Sequence, residues 1–402
     1  MTQPPSAPTD ATTTPASQAD TAPGARAHSA PGGARVLHIA QMLPGGIISY
    51  IEELLPTQMA QFGPANIMAL VAAQDAGLLS TMALGSVHTF PKSGRSLREL
   101  FRFARRAVSV VRAERPDIVH LHSTFAGLLR PLILLASRRP RPAIIYCAHG
   151  WAFNMRTARC KRTLYAMVER ALSHCADHII CISAFEYRSA LERGISPARM
   201  TMIENAITSR PRPAGKAPFR PAEGINLLFI GRFDKQKGFD IAEAAMDLVR
   251  DVPVTLHAVG GFVVNDAQTP HPRCKGRPNI VHYGWQDRRV VYDFIDQADA
   301  LVIPSRWEGF GIAAIEAMRA GKPVIAADVD ALPEIVVAGV TGLIVPPEDP
   351  ATLARVIRGL DKDRLARMGE AARARFLERF TSERLNREIL DTYRALLAQR
   401  AR

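Results

Sequence analysis

At 402 residues, 47% apolar and 22% charged, the chain is globular, long enough for two or three domains, and outside the disordered and low-complexity classes as a whole. No apolar run reaches the roughly 18–20 residues that a membrane-spanning helix requires; the longest, 128–136, contains Arg130 and Pro131. The formal net charge of +13 points to contact with polyanions, whether nucleic acid, anionic lipid or phosphorylated substrates.

Residues 1–33 are rich in Ala, Pro, Thr and Ser and lack a basic start leading into an apolar stretch. They are expected to form a disordered tail rather than a secretory signal. RVLHIA (35–40) then reads as a buried strand and QMLPGG (41–46) as a turn holding Gly45 and Gly46. A helical pattern over 47–62 places Ile51, Leu54, Leu55 and Met59 on one face. Further strand-like runs are NIMALV (66–71), DIVHLH (117–122), AIIYCAH (143–149), DHIICIS (177–183) and RMTMIEN (199–205). Helical stretches separate most of them, so 34–206 is expected to be a doubly wound α/β domain. Within it, 97–111 predicts a basic amphipathic helix with Arg98, Arg102, Arg105 and Arg106 on one face and Leu97, Leu100, Phe101, Ala104 and Val108 on another. Such a surface suits either solvent or an anionic membrane. His149 and Gly150 stand at a strand end, and Ser183 is placed as a helix N-cap. The five cysteines, Cys147, Cys160, Cys175, Cys181 and Cys274, form no C-x-x-C pair and are odd in number. They predict neither a disulfide framework nor a zinc site, and fit a reducing cytoplasm.

The Pro- and Gly-rich stretch 207–223 reads as a linker. Alternation then restarts with strands at 225–231, 254–260, 279–284, 300–304, 323–328 and 342–346, giving a second α/β domain over 224–382. The charged helical end, 383–402, is set apart as a last segment. GRFDKQKG (231–238) ends the first strand of this half, with Arg232 and Lys237 both able to reach a diphosphate. Farther on, SRWEGFGIAAIEAMRAGKP (305–323) follows a buried strand and leads through Gly309-Phe310-Gly311 into a helix. A helix start after a glycine turn is an anion site. Glu308 and Glu316, eight positions apart, are then suited to the hydroxyls of a ligand whose phosphates meet the helix. That description fits a nucleotide-sugar. Gly45 and Gly46 make a second, smaller cradle, without the G-x-G-x-x-G of a dinucleotide site.

The Glu308/Glu316 spacing resembles the E-x7-E signature of the family-4 retaining glycosyltransferases of GT-B fold, and GRFDKQKG resembles the basic motif of that family. The resemblance covers roughly 35–380 and is strongest over 225–350. It implies two Rossmann-like domains facing a cleft, with the last helix crossing back to the first domain. It further implies that Glu316 holds the ribose and that Glu308 and the Phe310-Gly311 backbone meet the donor sugar. Arg232 and Lys237 then neutralise the diphosphate, Gly45 and Gly46 lie near the donor phosphates or the acceptor, and His149 touches the sugar near the reaction centre. His149 could donate to a sugar hydroxyl or support an oxocarbenium-like transition state as a neutral ring. The implied activity is transfer of a hexose from a UDP- or GDP-linked sugar to a saccharide acceptor, lipid-linked, in bacterial exopolysaccharide, capsule or lipopolysaccharide assembly. The implied place is the cytoplasm, peripheral on the inner face of the plasma membrane. No cofactor and no metal are expected, and Asp328-Val329-Asp330 reads as a coincidental D-x-D. In the family two glycines usually stand where Asp330 and Ala331 stand here, which puts the shape of that loop in question. No nucleic-acid-binding module is recognisable, and nucleic acid is not an expected partner. A GT-B nucleotide-sugar epimerase and a non-catalytic glycan or nucleic-acid binder remain as alternatives on sequence alone.

Overall fold

The structure, a computed structural model, describes residues 33–79, 84–92, 94, 96–137, 140–210, 218–262 and 277–401. Residues 1–32 of the expected disordered tail, the middle of the expected linker and Cys274 lie outside the described residues.

The N-terminal half contains β1 (Val36–Ala40), α1 (Gly46–Phe62), β2 (Ile67–Ala72), β3 (Ser86–Phe90), α2 (Leu97–Glu114), β4 (Ile118–His122) and α3 (Ser123–Gly127). It continues through α4 (Arg130–Ala136), β5 (Ala143–Cys147), α5 (Arg159–Ser173), β6 (His178–Cys181), α6 (Ala184–Glu192) and β7 (Met200–Met202). Its strands form one parallel sheet in the order β3-β2-β1-β4-β5-β6-β7. Every residue of β1, β2, β4 and β5 is buried. Helices cover both faces of a parallel sheet, so its inner strands are apolar throughout rather than alternating. The edge strand β3 was not predicted: it buries only Phe90, and its polar-apolar mixture carries little strand signal.

The C-terminal half contains β8 (Ile225–Arg232), α7 (Phe239–Asp247), β9 (Val254–Gly261), β10 (Ile280–Gly284), α8 (Arg288–Gln297), β11 (Ala300–Ile303) and α9 (Ile312–Arg319). After these come β12 (Val324–Ala327), α10 (Leu332–Ile335), β13 (Gly342–Val345), α11 (Pro350–Arg358), α12 (Lys362–Arg379) and α13 (Ser382–Ala401). Its parallel sheet runs β10-β9-β8-β11-β12-β13. The fold class is therefore GT-B: two doubly wound α/β halves.

The chain passes between the halves twice, and the two crossings are fastened to each other. Ile207 N–H donates to Phe380 O at 3.0 Å, and Ser382 N–H donates to Ile207 O at 3.0 Å. Beyond that point α13 lies on α1, where Asn386 Nδ2 donates to Glu53 O at 2.8 Å.

One predicted helix face differs from the structure. α2 buries Glu99, Phe103, Ala107, Val110 and Val111. Leu97 and Phe101 are instead 86% and 70% exposed. The helix carries two apolar stripes at helical spacing, and the sheet takes the one whose Phe103 packs on Phe90, ring centroids 4.5 Å apart. Arg98, Arg102, Arg105 and Arg106 are exposed.

Candidate active site

Both sheets reverse strand order at one point, between β1 and β4 and between β8 and β11. Loops leaving the carboxyl ends of strands at such a point form the crevice in this class of fold. The starts of α1 and α9 meet there: a Cβ added to Gly46 would stand 3.9 Å from Ile312 Cγ1. Gly45 (φ 98°) precedes α1 and Gly311 (φ 106°) caps α9, so each helix opens after a backbone turn that favours glycine. The amino ends of two helices thus line one crevice, with Ile48 N–H taken by Leu43 O and Ala314 N–H by Gly311 O.

The loop after β8 supplies the cations. Asp234 Oδ1 accepts from Lys237 N–H at 2.9 Å, and its Oδ2 lies 3.1 Å from Arg232 Nη2. Arg232 Nη2 also donates to Gln236 Oε1 at 2.7 Å while 45% of its side chain stays exposed. Gly238 (φ 67°) ends this loop against β11; a Cβ there would fall 2.1 Å from Pro304 O. The backbone approach is that close, and it brings Lys237 Nζ to Glu308 Oε2 at 2.6 Å. Ser305 Oγ donates to the same oxygen at 3.3 Å.

Glu308 has a second brace. Its backbone N–H donates to Asp330 Oδ2 at 2.7 Å. Asp330 has φ 50°, the left-handed region in which Asp is tolerated. It thus takes the positive-φ backbone that a glycine would favour and adds a carboxylate that ties the loop down. Burial, then the nearby Glu308 charge, pushes the Asp330 carboxyl above its ordinary range. Phe310 buries its ring against Phe380, centroids 6.1 Å apart, so only its backbone is available to a ligand.

Glu316 points elsewhere. Tyr292 OH donates to its Oε1 at 3.4 Å, and Arg288 Nη2 lies 3.6 Å from the same atom. Arg288 also reaches across the crevice to pair with Glu52 on α1. Of the sequence-predicted set, the structure brings Lys237 and Glu308 into contact and Gly46 to the start of α9. Glu316 is grouped instead with Arg288 and Tyr292.

His149 (φ 53°) and Gly150 (φ 115°) form the loop after β5. A Cβ on Gly309 would lie 3.2 Å from His149 O, so this loop touches the one carrying Glu308. Behind His149 stand three further histidines, all buried: His38 on β1 and His120 and His122 on β4. His149 Nε2 lies 3.0 Å from His122 Nδ1, His122 Nε2 lies 3.0 Å from His38 Nδ1, and His38 Nε2 lies 2.7 Å from Gln58 Oε1. Burial lowers the His149 pKa to about 3 and the His38 pKa to about 4, and holds His120 and His122 well below the ordinary value. All four rings are neutral near pH 7.

Asp234, Arg288, Glu52 and the three buried histidines were not singled out from the sequence, and Asp330 was noted only as half of a coincidental D-x-D. For the histidines a signal existed: VLHIA and IVHLH place polar rings inside wholly apolar strands, and a buried polar group is the informative exception.

Known proteins agree with this architecture. The family model described as "Glycosyl transferases group 1" matches residues 216–375, and the "Glycosyl transferase 4-like domain" model matches 45–206. The chain is 30% identical over 331 residues to an uncharacterized 41.2 kDa protein of the cps region of Klebsiella pneumoniae, spanning 80% of this chain and 88% of that one. It is 30% identical over 322 residues to the glycogen synthase of Mycobacterium tuberculosis, spanning 75% and 71% respectively. Anabaena HepE, solved in complex with UDP-glucose, superposes with a TM-score of 0.72 at 20% identity, covering 90% of this chain and 99% of that one. With the two matched segments falling on the two halves described above, the chain belongs to the group 1 glycosyl transferases and is a glycosyltransferase of GT-B fold and family-4 type.

Proposed function

We propose that the protein transfers a hexose, with retention at the anomeric carbon, from a UDP- or GDP-linked sugar to a lipid-linked saccharide in cell-surface polysaccharide assembly. The observation that carries the reading is the Lys237–Glu308 pair at the mouth of two facing helix starts, with Arg232 beside it. A diphosphate at the helix N-termini meets both cations, and sugar hydroxyls meet the carboxylate that holds Lys237 in place. Support for the donor class comes from HepE, whose structure holds UDP-glucose, and for the pathway from the cps-region relative.

In this reading Glu316 holds the ribose, and His149 stands at the sugar. The acceptor hydroxyl attacks from the side of the leaving group. The bond from the anomeric carbon to the phosphate oxygen breaks as the new glycosidic bond forms, and the acceptor proton passes to the departing phosphate. Arg232 and Lys237 stabilise the charge that develops there without a metal step. Contact between the His149 and Gly309 loops narrows the route by which water would reach the sugar.

The test is nucleotide release from a panel of nucleoside-diphosphate sugars. Lys237→Ala is expected to lower kcat by about 10²-fold, the usual loss for one stabilising donor, while Glu316→Ala mainly raises the donor KM. Wild-type constants in both variants would refute the site, and an epimerised sugar formed from donor alone would refute transfer.

We also propose that α2 rests on an anionic membrane at the cytoplasmic face. Leu97 and Phe101 stand in solvent among Arg98, Arg102 and Arg105, and apolar side chains exposed within a basic stripe are the composition of an interfacial helix. Among the described residues no helix is long and apolar enough to cross a membrane.

A further inference from the structure

The histidine chain behind His149 has a direction, and the contact distances give it. At 2.7 Å, His38 Nε2 and Gln58 Oε1 are at the short end of the range for an imidazole N–H on a carbonyl oxygen. The other Gln58 atom, Nε2, donates to Tyr393 OH at 3.3 Å. Tyr393 OH is then free to donate, and it stands 2.7 Å from His120 Nδ1, the ordinary length of an O–H donor bond. Each ring is neutral and holds one N–H. With the His38 proton on Nε2, its Nδ1 is a bare acceptor and takes the N–H of His122 Nε2. His122 Nδ1 is therefore bare and takes the N–H of His149 Nε2. The proton count then leaves His149 Nδ1 as a lone pair. It makes no hydrogen bond to any described residue, the ring is only partly buried, and its loop abuts Gly309 beside Glu308.

We propose that Gln58, His38 and His122 are positioning residues that fix the tautomer of His149, so that its Nδ1 lone pair faces the cleft and takes a hydroxyl hydrogen of the bound sugar substrate. This rests on the reading of the cleft as a nucleotide-sugar site, and it replaces the expectation that His149 donates there. The strongly lowered pKa of the ring removes the alternative of an imidazolium. Gln58 is the determinant because its amide cannot pass a proton on: the carbonyl end must accept and the amino end must donate. Tyr393 belongs to α13, so the last helix of the chain touches the same network at its far end.

A metal is the competing use of these rings. Ligand nitrogens of His38, His120 and His122 lie within 4.8 Å of one another. Yet His38 and His122 already share a proton between nitrogens 3.0 Å apart, and the His120 and His122 rings stack at 4.3 Å between centroids. Stacked rings aim their nitrogens along parallel planes, whereas metal ligands converge on a point.

The experiment has two readouts on the full chain. The first is site-assigned nitrogen NMR of histidine-labelled protein near neutral pH. Protonated Nε2 and bare Nδ1 are expected on His38, His122 and His149; a protonated Nδ1 on His149 would overturn the proposal, as would a stoichiometric metal found by elemental analysis. The second compares two variants that each break two hydrogen bonds of the network and share the Gln58–Tyr393 one. Gln58→Met removes the acceptor that sets the direction, and is expected to mix the His149 tautomers and lower kcat about tenfold with little change in donor KM. Tyr393→Phe leaves the Gln58 carbonyl in place and is expected to keep both the tautomer and kcat. Equal behaviour of the two variants would mean a merely structural role and would sink the idea. Should wild type turn over no nucleotide-sugar, the transfer reading fails on its own, and the NMR of the unaltered protein still decides the direction of the chain.

Discussion

Glu186 shows how one buried residue couples the candidate site to pH. It lies behind the His149–Gly150 loop, where its Oε2 accepts from Ile182 N–H at 3.0 Å and its own N–H donates to Ser183 Oγ at 3.0 Å. Burial raises its pKa from 4.5 to about 7. A carboxyl held protonated in the fold contributes stability below about pH 4.5, and that contribution is lost as pH rises through about 7. Glu186→Gln is therefore expected to raise the melting temperature by several degrees at about pH 8 and by much less at about pH 5; a gain that is equal at both, measured by calorimetry, would refute the buried acid. The neutral histidines run the other way. Their stabilisation is present above about pH 6.5 and is lost as pH falls toward 4 for His38 and toward 3 for His149. At this scale the sequence was partly legible. Ser183 was read as a cap from its place before a helix and is one. Asp330 was read as half of a coincidental D-x-D, because its partner, the Glu308 N–H, is reached only through the fold.

Elements were legible wherever one hydrophobic period dominated. Strands β1, β2, β4, β5, β8 and β11 stand out because both faces of a parallel sheet are covered, whereas the edge strand β3 has no such run. Helix α2 was found but turned the wrong way, since two stripes satisfied the same period and only packing against Phe90 separates them. Its outward stripe carries a prediction of its own. The native protein is expected to sediment with anionic vesicles, and a variant with Arg98, Arg102, Arg105 and Arg106 changed to Glu is not, as each basic residue near such a surface contributes about 1 kcal/mol. Unchanged pelleting would exclude this face as the docking surface.

For the whole molecule, the repeated α/β alternation on either side of a Pro- and Gly-rich stretch was enough to predict two wound halves. The contacts between those halves were beyond reach, since they join residues 146 to 236 positions apart: Glu52 with Arg288, Arg156 with Glu348, and Arg188 with Glu334. The first of these is the least exposed, and Arg288 Nη2 also lies beside Glu316. Arg288→Met leaves two carboxylates facing each other across the crevice, so the variant is expected to show a larger radius of gyration by small-angle scattering and weaker donor binding. An unchanged radius would remove Arg288 from the closure contact. Where the chain passes between the halves, Ile207 is bonded on one side to Phe380 and on the other to Ser382. Two crossings bonded at one place have the geometry of a door pin. On the membrane reading proposed above, a pivot at Ile207 would tie cleft width, the reach of Arg288 to Glu52 and the tilt of α2 against a flat surface to a single angle.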